Sequence, residues 1–177
     1  MSSLGLSQKA TEQQEYYKVF TVELDTAAFD ALDPVKRYHE GIFVQLYPDE
    51  NMGPLFHVTG DIISALGMRY ERRDNFFPDK TTHLHRYLQI GWARKADFDL
   101  GSFDNILQAL PRPTRQQGIN FWEKDPVTNR HEIIWVRQDG ERYEPGEVRR
   151  PIFKCNEWVH QHAIPALRNA GVLRSDV

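Results

Sequence analysis

The chain has 177 residues and one cysteine, Cys155, so it has no means of forming an intramolecular disulfide. Its fold must therefore be stabilised by a hydrophobic core rather than by sulfur cross-links. A chain of this length can bury such a core, and 40% of its residues are hydrophobic. The sequence predicts a flexible tail at residues 1–16, which are rich in Ser, Gln and Glu, followed by a single domain over residues 17–177.

Charge and hydropathy argue against several classes of protein. The formal net charge of −3 argues against a general nucleic-acid binder, which normally carries excess Lys and Arg on one face. No apolar run approaches the ~18–20 residues that a membrane span requires. The first 15 residues lack the apolar segment of a secretory signal. We therefore expect a cytoplasmic protein with no transmembrane segment and no nucleic-acid partner.

Alternating and β-branched segments predict an antiparallel sheet. The clearest strand is 38–46, and turn-forming residues at 47–51 lead to a returning strand at 55–59. Further strands are predicted at 18–24, 68–73, 87–93 and 133–136.

Helical spacing predicts two helices. The first covers 101–110 and stops at Pro111, and the last covers about 155–170 before Gly171. Pro165 is expected to kink or break the last helix. Residues 111–132 are polar and are expected to form an irregular excursion over the surface. These elements together predict an α+β domain in which an antiparallel β-sheet packs against helices.

Cys155 lies at the predicted start of the last helix. Unpaired N–H groups and the positive end of the helix dipole favour a thiolate at such a position, where a nucleophilic cysteine would be placed. The other interpretation is a buried structural cysteine, which is the commoner role of a free cysteine. A nucleophile would need a base, and imidazole is the usual one.

Two of the seven histidines lie on strands that are predicted to pair. A turn centred near Pro48 would place His39 and His57 side by side on one face, whereas a longer loop would slide them apart. If they pair, one can act as the base and the other as its orienting partner.

The other histidines give weaker signals. His83 and His85 share a strand face, and a metal-dependent enzyme built on them is a third alternative. They lack further ligands at suitable spacing, so we predict no metal and no other cofactor. The remaining histidines are interpreted as packed or solvated residues that do not serve as the base: His131, His160 and His162.

Two regions together resemble a known family. Tyr-His-Glu-Gly-Ile-Phe-Val at 38–44, followed by Leu-Phe-His-Val at 55–58, is similar to the two-histidine hairpin of lecithin–retinol acyltransferase-like proteins. Lys-Cys-Asn-Glu-Trp-Val at 154–159 is similar to the start of their cysteine helix. The resemblance implies a circularly permuted papain-like (NlpC-type) fold. It also implies that Cys155 is the nucleophile, His39 its base and His57 the polar partner.

The chain as a whole is more similar to a group of uncharacterised fungal proteins. The shared pieces lie within roughly residues 34–173 and include Arg-Tyr-His at 37–39, Leu-Pro at 110–111 and the cysteine helix. Two residues depart from the acyltransferase pattern, which has an aromatic where this chain has Glu40 and Asn where it has Lys154. Lys154 could help to hold a thiolate. Glu40 would oppose one, although strand alternation directs it to the face opposite His39.

The sequence thus predicts a cysteine-dependent hydrolase or acyltransferase. It would act on an ester, thioester or (iso)amide of a small-molecule, acyl or peptide substrate through a thiolate–imidazole pair. The alternative is a non-catalytic binding or interaction protein that retains the fold.

Overall fold

The structure, a computed structural model, describes residues 15–177 and contains a five-stranded antiparallel sheet with helices packed on it. The strands are β1 (Tyr16–Leu24), β2 (His39–Gln45), β3 (Gly53–Thr59), β4 (Arg69–Phe76) and β5 (Leu84–Arg94). Their order across the sheet is β4-β3-β2-β1-β5. The predicted α+β class with an antiparallel sheet is confirmed. The tail predicted at residues 1–16 falls outside the described residues except for its last two, and Tyr16 already belongs to β1.

The two faces of the sheet bury separate hydrophobic clusters, because successive side chains of a strand point to opposite faces. In β2, Ile42 and Val44 contribute to the first cluster, together with Trp158 and Cys155 of the last helix. Phe43, between them in the chain, contributes to the second cluster, which also contains Phe76, three residues of β1 and Leu55 of β3. The helices therefore pack on the face to which the even-numbered residues of β2 point.

The hairpin between β2 and β3 requires a glycine at its base. Leu46 and Tyr47 both donate their backbone N–H groups to the carbonyl of Met52, which closes the turn. A Cβ atom at Gly53 would lie 1.8 Å from the carbonyl oxygen of Val44, so no larger residue fits without displacing the backbone. The resulting register places Ile42 opposite Phe56.

The helices are α1 (Lys95–Asp99), α2 (Ser102–Gln108) and a terminal helix, α3. The sequence did not predict α1. In α3, α-helical turns at Cys155–Glu157 and Ile164–Asn169 flank a π-helical stretch at Trp158–Ala163. Pro165 does not break α3, although a break was one of the two expected outcomes. It falls in the first turn after the wider π-helical stretch, where the missing N–H of proline is tolerated.

The excursion at 111–132 is less irregular than predicted. It contains a short strand, β6 (Gln117–Ile119), which pairs with β7 (Ile133–Trp135) in a second small sheet. Within residues 15–177, none of the helices is both long enough and apolar enough to span a bilayer.

Candidate functional site

The imidazoles of His39 and His57 are hydrogen-bonded to each other. His39 Nε2 lies 2.7 Å from His57 Nδ1, and the two rings meet nearly edge to face. The β2–β3 register pairs Ile42 with Phe56, so the histidines sit diagonally rather than directly opposite. The predicted pairing on one face is therefore observed, displaced by one pleat because the turn is longer than one centred at Pro48.

A carboxylate on the next strand extends this pair into a chain. His57 Nε2 lies 3.2 Å from Glu71 Oε1 on β4. An ionised carboxylate only accepts hydrogen bonds, so His57 Nε2 carries the proton and neutral His57 accepts at Nδ1. His39 must then donate from Nε2. In a neutral imidazole this leaves Nδ1 of His39 unprotonated, and in the described residues that nitrogen has no hydrogen-bond partner.

Both imidazoles are neutral at pH 7. Burial lowers the pKa of His39 from 6.5 to about 4, and a positive charge on nearby His57 would lower it further. Burial also lowers the pKa of His57, although its bond to Glu71 opposes that shift. The hydrogen-bonded series Glu71–His57–His39 therefore ends in an uncharged base, Nδ1 of His39.

Cys155 lies against the backbone at the start of β2. Its side chain accepts a hydrogen bond from the N–H of Glu40, the residue that follows His39, and another from the N–H of Asn156. Its Sγ also lies 3.8 Å from Asn156 Oδ1. Among residues 15–177, no hydrogen bond joins Cys155 Sγ to either imidazole. The structure thus brings the sulfur to the peptide of His39 without bonding it to the ring.

The thiol is protonated, contrary to the expectation from its helix position. Cys155 is only 7% exposed, and burial raises the pKa of its thiol. The two backbone N–H groups favour the thiolate, but the negative charge of Glu40 opposes it. Burial is the largest of these effects and exceeds the help that the helix start provides.

Glu40 faces the terminal helix and is itself almost fully buried, at 4% exposure. Its Oε1 lies 2.7 Å from His160 Nε2, and its Oε2 accepts a hydrogen bond of 3.0 Å from Asn156 Nδ2. Glu40 does lie on the face opposite His39, as alternation predicts, but that is the face occupied by the cysteine helix. His160, which the sequence analysis interpreted as a packed or solvated residue, binds this carboxylate.

The residues flanking Cys155 fix the start of α3. Glu157 Oε2 accepts the backbone N–H of Lys154 at 3.0 Å, and its Oε1 lies 2.5 Å from Arg37 Nη1. Lys154 Nζ pairs with Asp30 at 2.5 Å and lies 3.6 Å from Asp33. Lys154 therefore does not hold a thiolate, because its charge is taken up by these two carboxylates.

The remaining histidines make other contacts. His85 stacks on Tyr38 with ring centroids 3.7 Å apart, and His83 precedes β5. In the described part of the chain, no group of three or more His, Cys, Asp or Glu side chains is arranged to hold a metal ion. His162 packs beside Phe153, and His131 Nδ1 lies 2.7 Å from the carbonyl of Asn120.

Sequence reasoning missed Glu71 and Asn156 as parts of this site. Alternation along the strand 68–73 places Glu71 on a definite face, but only the β3–β4 register sets it opposite His57. Asn156 links the start of α3 to β2 by donating Nδ2 to the carbonyl of Tyr38 at 3.0 Å. That contact spans more than a hundred residues, so no local pattern could reveal it.

Comparison with protein-family models matches residues 28–174 to DUF6540, a family of unknown function, and the chain belongs to that family. Comparison with curated proteins found no match, and comparison with solved structures found none either.

Proposed function

We propose that this member of the DUF6540 family is a cysteine-dependent hydrolase or acyltransferase that acts on an ester, thioester or amide. Cys155 would be the nucleophile, His39 the base, and His57 with Glu71 would orient that base. The observation that carries the proposal is the Glu71–His57–His39 hydrogen-bond chain. It fixes the tautomer of His39 so that a neutral Nδ1, without a partner among the described residues, is left at the start of β2, where Cys155 contacts the backbone.

The reaction follows from the neutral resting state of both groups. The His39 ring lies on the sheet face opposite the cysteine helix, so the start of β2 has to shift until Nδ1 reaches Sγ. Nδ1 would then take the thiol proton as the sulfur attacks the acyl carbonyl, and the backbone N–H groups near Sγ are donors available to the developing oxyanion. The imidazolium formed on His39 is stabilised through His57 by the charge of Glu71. The proton then passes to the leaving group, and a thioester remains on Cys155. Water or an acceptor, deprotonated by His39, releases the acyl group and restores the thiol.

The circularly permuted papain-like fold is part of the same proposal. Its support is the order in the chain, where two histidines on adjacent antiparallel strands precede a cysteine at a helix start. We also propose a cytoplasmic location, because a reducing compartment keeps a single catalytic thiol free.

The test is acyl transfer to Cys155 from a p-nitrophenyl ester. The reaction is monitored by the release of nitrophenol and by mass spectrometry of the intact protein. Wild type should form a thioester on Cys155, and Cys155→Ala should form none. His39→Gln should slow acylation by roughly a hundredfold or more, which is the usual contribution of a general base. His131→Gln, which removes a surface imidazole, is the matched control and should behave as wild type.

Full ester turnover by Cys155→Ala would contradict the proposal. So would a His39→Gln variant that acylates as fast as the His131→Gln control.

A second candidate function is a non-catalytic binding protein that retains the fold. The observation that favours it is the burial of Cys155, whose pKa is raised and whose sulfur, within residues 15–177, bonds to no imidazole. The rate of alkylation by iodoacetamide against pH separates the two. A slow rate that rises only above the ordinary thiol pKa of ~8.5, with no thioester formed, would favour the binding protein. A thioester formed at neutral pH would favour the enzyme.

A further inference from the structure

A groove of about 830 Å³ lies between two loops of the chain. One wall comes from residues 64–69, which connect β3 to β4, and the other from residues 110–114, which follow α2. Because β2, β3 and β4 are antiparallel, the end of β3, the start of β4 and the start of β2 all meet at one end of the sheet. The groove therefore opens at the same end of the sheet as His39.

The walls of this groove are held together by backbone contacts. The N–H of Met68 donates to the carbonyl of Pro113 at 2.9 Å. A Cβ atom at Gly67, whose φ is +67°, would lie only 2.3 Å from that carbonyl oxygen. The N–H of Gly67 in turn donates to the carbonyl of Ser64 at 3.0 Å. The groove is thus a built feature of the fold rather than a gap between loose loops.

The groove lining combines apolar surface with positive charge. Its apolar residues include Leu66, Met68, Leu110 and Pro113, and Leu66 is 93% exposed at its edge. Two guanidinium groups, Arg69 and Arg112, complete the lining, and none of the described residues that line the groove is acidic. Within the described residues Arg112 has no carboxylate partner, so its charge faces solvent uncompensated. Such a surface fits an organic anion that carries an apolar body.

Both walls connect to the candidate site. Arg69 Nη2 lies 3.5 Å from Glu71 Oε2, at the outer end of the histidine chain. Beyond the second wall, the side-chain amide of Gln116 binds the backbone of Phe153, two residues before Cys155. Gln116 Nε2 donates to the Phe153 carbonyl at 2.6 Å, and the Phe153 N–H donates to Gln116 Oε1 at 2.8 Å. A ligand in the groove would therefore lie between the segments that position His57 and Cys155.

We propose that this groove binds an amphiphilic organic anion, with its carboxylate or phosphate on Arg69 and Arg112 and its apolar part along Leu66, Met68 and Pro113. As the site that holds the acyl donor, the groove rests on the proposed function. As a binding site for the anion alone, it is independent of the chemistry of Cys155.

The test measures ligand binding to the full-length Cys155→Ser protein by calorimetry. All the ligands carry a ten-carbon alkyl chain, and each is used below its critical micelle concentration. Decanoate and decyl phosphate should bind, and the tighter of the two identifies the head group. Decanol should bind at least tenfold more weakly, and decyltrimethylammonium more weakly still. Arg112→Glu should weaken decanoate binding about tenfold or more, and Leu66→Ser should weaken decanoate and decanol alike. Arg130→Glu, on an exposed loop outside the groove, is the matched control.

Equal binding of decanol and decanoate would overturn the proposal, as would an Arg112→Glu variant that binds like Arg130→Glu. Decanoate binding that depends on Arg112, found together with no thioester on wild-type Cys155, would support the groove while removing the proposed catalysis. The failure of one idea is thereby distinguished from the failure of the other.

Discussion

Replacing His39 with Gln should make the protein markedly less sensitive to mild acid. The glutamine amide can still donate a hydrogen bond to His57 Nδ1, but it cannot titrate. In wild type, burial lowers the pKa of His39 to about 4 in the folded state, against 6.5 for the unfolded chain. The folded protein therefore binds fewer protons than the unfolded chain between these values.

The sign and size of the effect follow from this difference in bound protons. The stability contributed by a neutral buried His39 is fully present above pH 6.5 and is lost as the pH falls towards 4. With these two pKa values, the loss between pH 7 and pH 5 is about 2 kcal/mol of unfolding free energy. Titration of His57 and of the carboxylates also changes the unfolding free energy, in wild type and in His39→Gln alike. The difference between the two proteins therefore isolates the contribution of His39.

The assay is urea denaturation at pH 5, 6 and 7, followed by far-ultraviolet circular dichroism. Wild type and His131→Gln should show the same steep loss of unfolding free energy between pH 7 and pH 5. His39→Gln should lose about 2 kcal/mol less over that interval. Identical pH profiles for His39→Gln and wild type would refute the reasoning, because His39 would then not be held neutral by its burial.

Three further substitutions test the packing of the fold by the same denaturation assay. Gly53→Ala should cost about 3 kcal/mol or more, because its Cβ would lie 1.8 Å from the Val44 carbonyl oxygen. Gly146→Ala should cost only about 1–2 kcal/mol, because φ there is +82° but no atom of the described residues lies within 4 Å of the added carbon. Equal costs would contradict the close approach at Gly53. Trp158→Ala should cost about 3–5 kcal/mol, because the ring is 0% exposed between α3 and the sheet, and a loss below about 1 kcal/mol would contradict that placement.

Local patterns predicted most of the regular structure. Alternation in 38–46 and turn chemistry at 47–51 predicted the β2–β3 hairpin, because successive side chains of a strand point to opposite faces and a turn must reverse the chain before it can pair with itself. Helical spacing predicted α2, and the final helix was predicted within a residue of its observed ends. The sequence did not reveal α1, which has only five residues and too short an apolar pattern to identify.

The spacing of His39 and His57 predicted a shared face if the turn between their strands was centred near Pro48. It did not predict the carboxylate that hydrogen-bonds to His57. The partner at Glu71 depends on the β3–β4 register, which is set by contacts between strands and not by either strand alone. The same holds for Lys154. Its position next to Cys155 in the chain suggested support for a thiolate, whereas Asp30 and Asp33, distant in sequence, hold its charge.

The amino-acid sequence alone determined the class of the fold, the placement of the two histidines on neighbouring strands and the position of the single thiol at a helix start. These are local properties, fixed by side-chain periodicity and by the preferences of turn and helix-end residues. Only the tertiary structure decided the protonation of that thiol and the state of its neighbours. Burial raised the pKa of Cys155, and Glu40 turned towards the helix that bears it. Desolvation and charge depend on what surrounds a group in space, and that environment is assembled from segments that lie far apart in the chain.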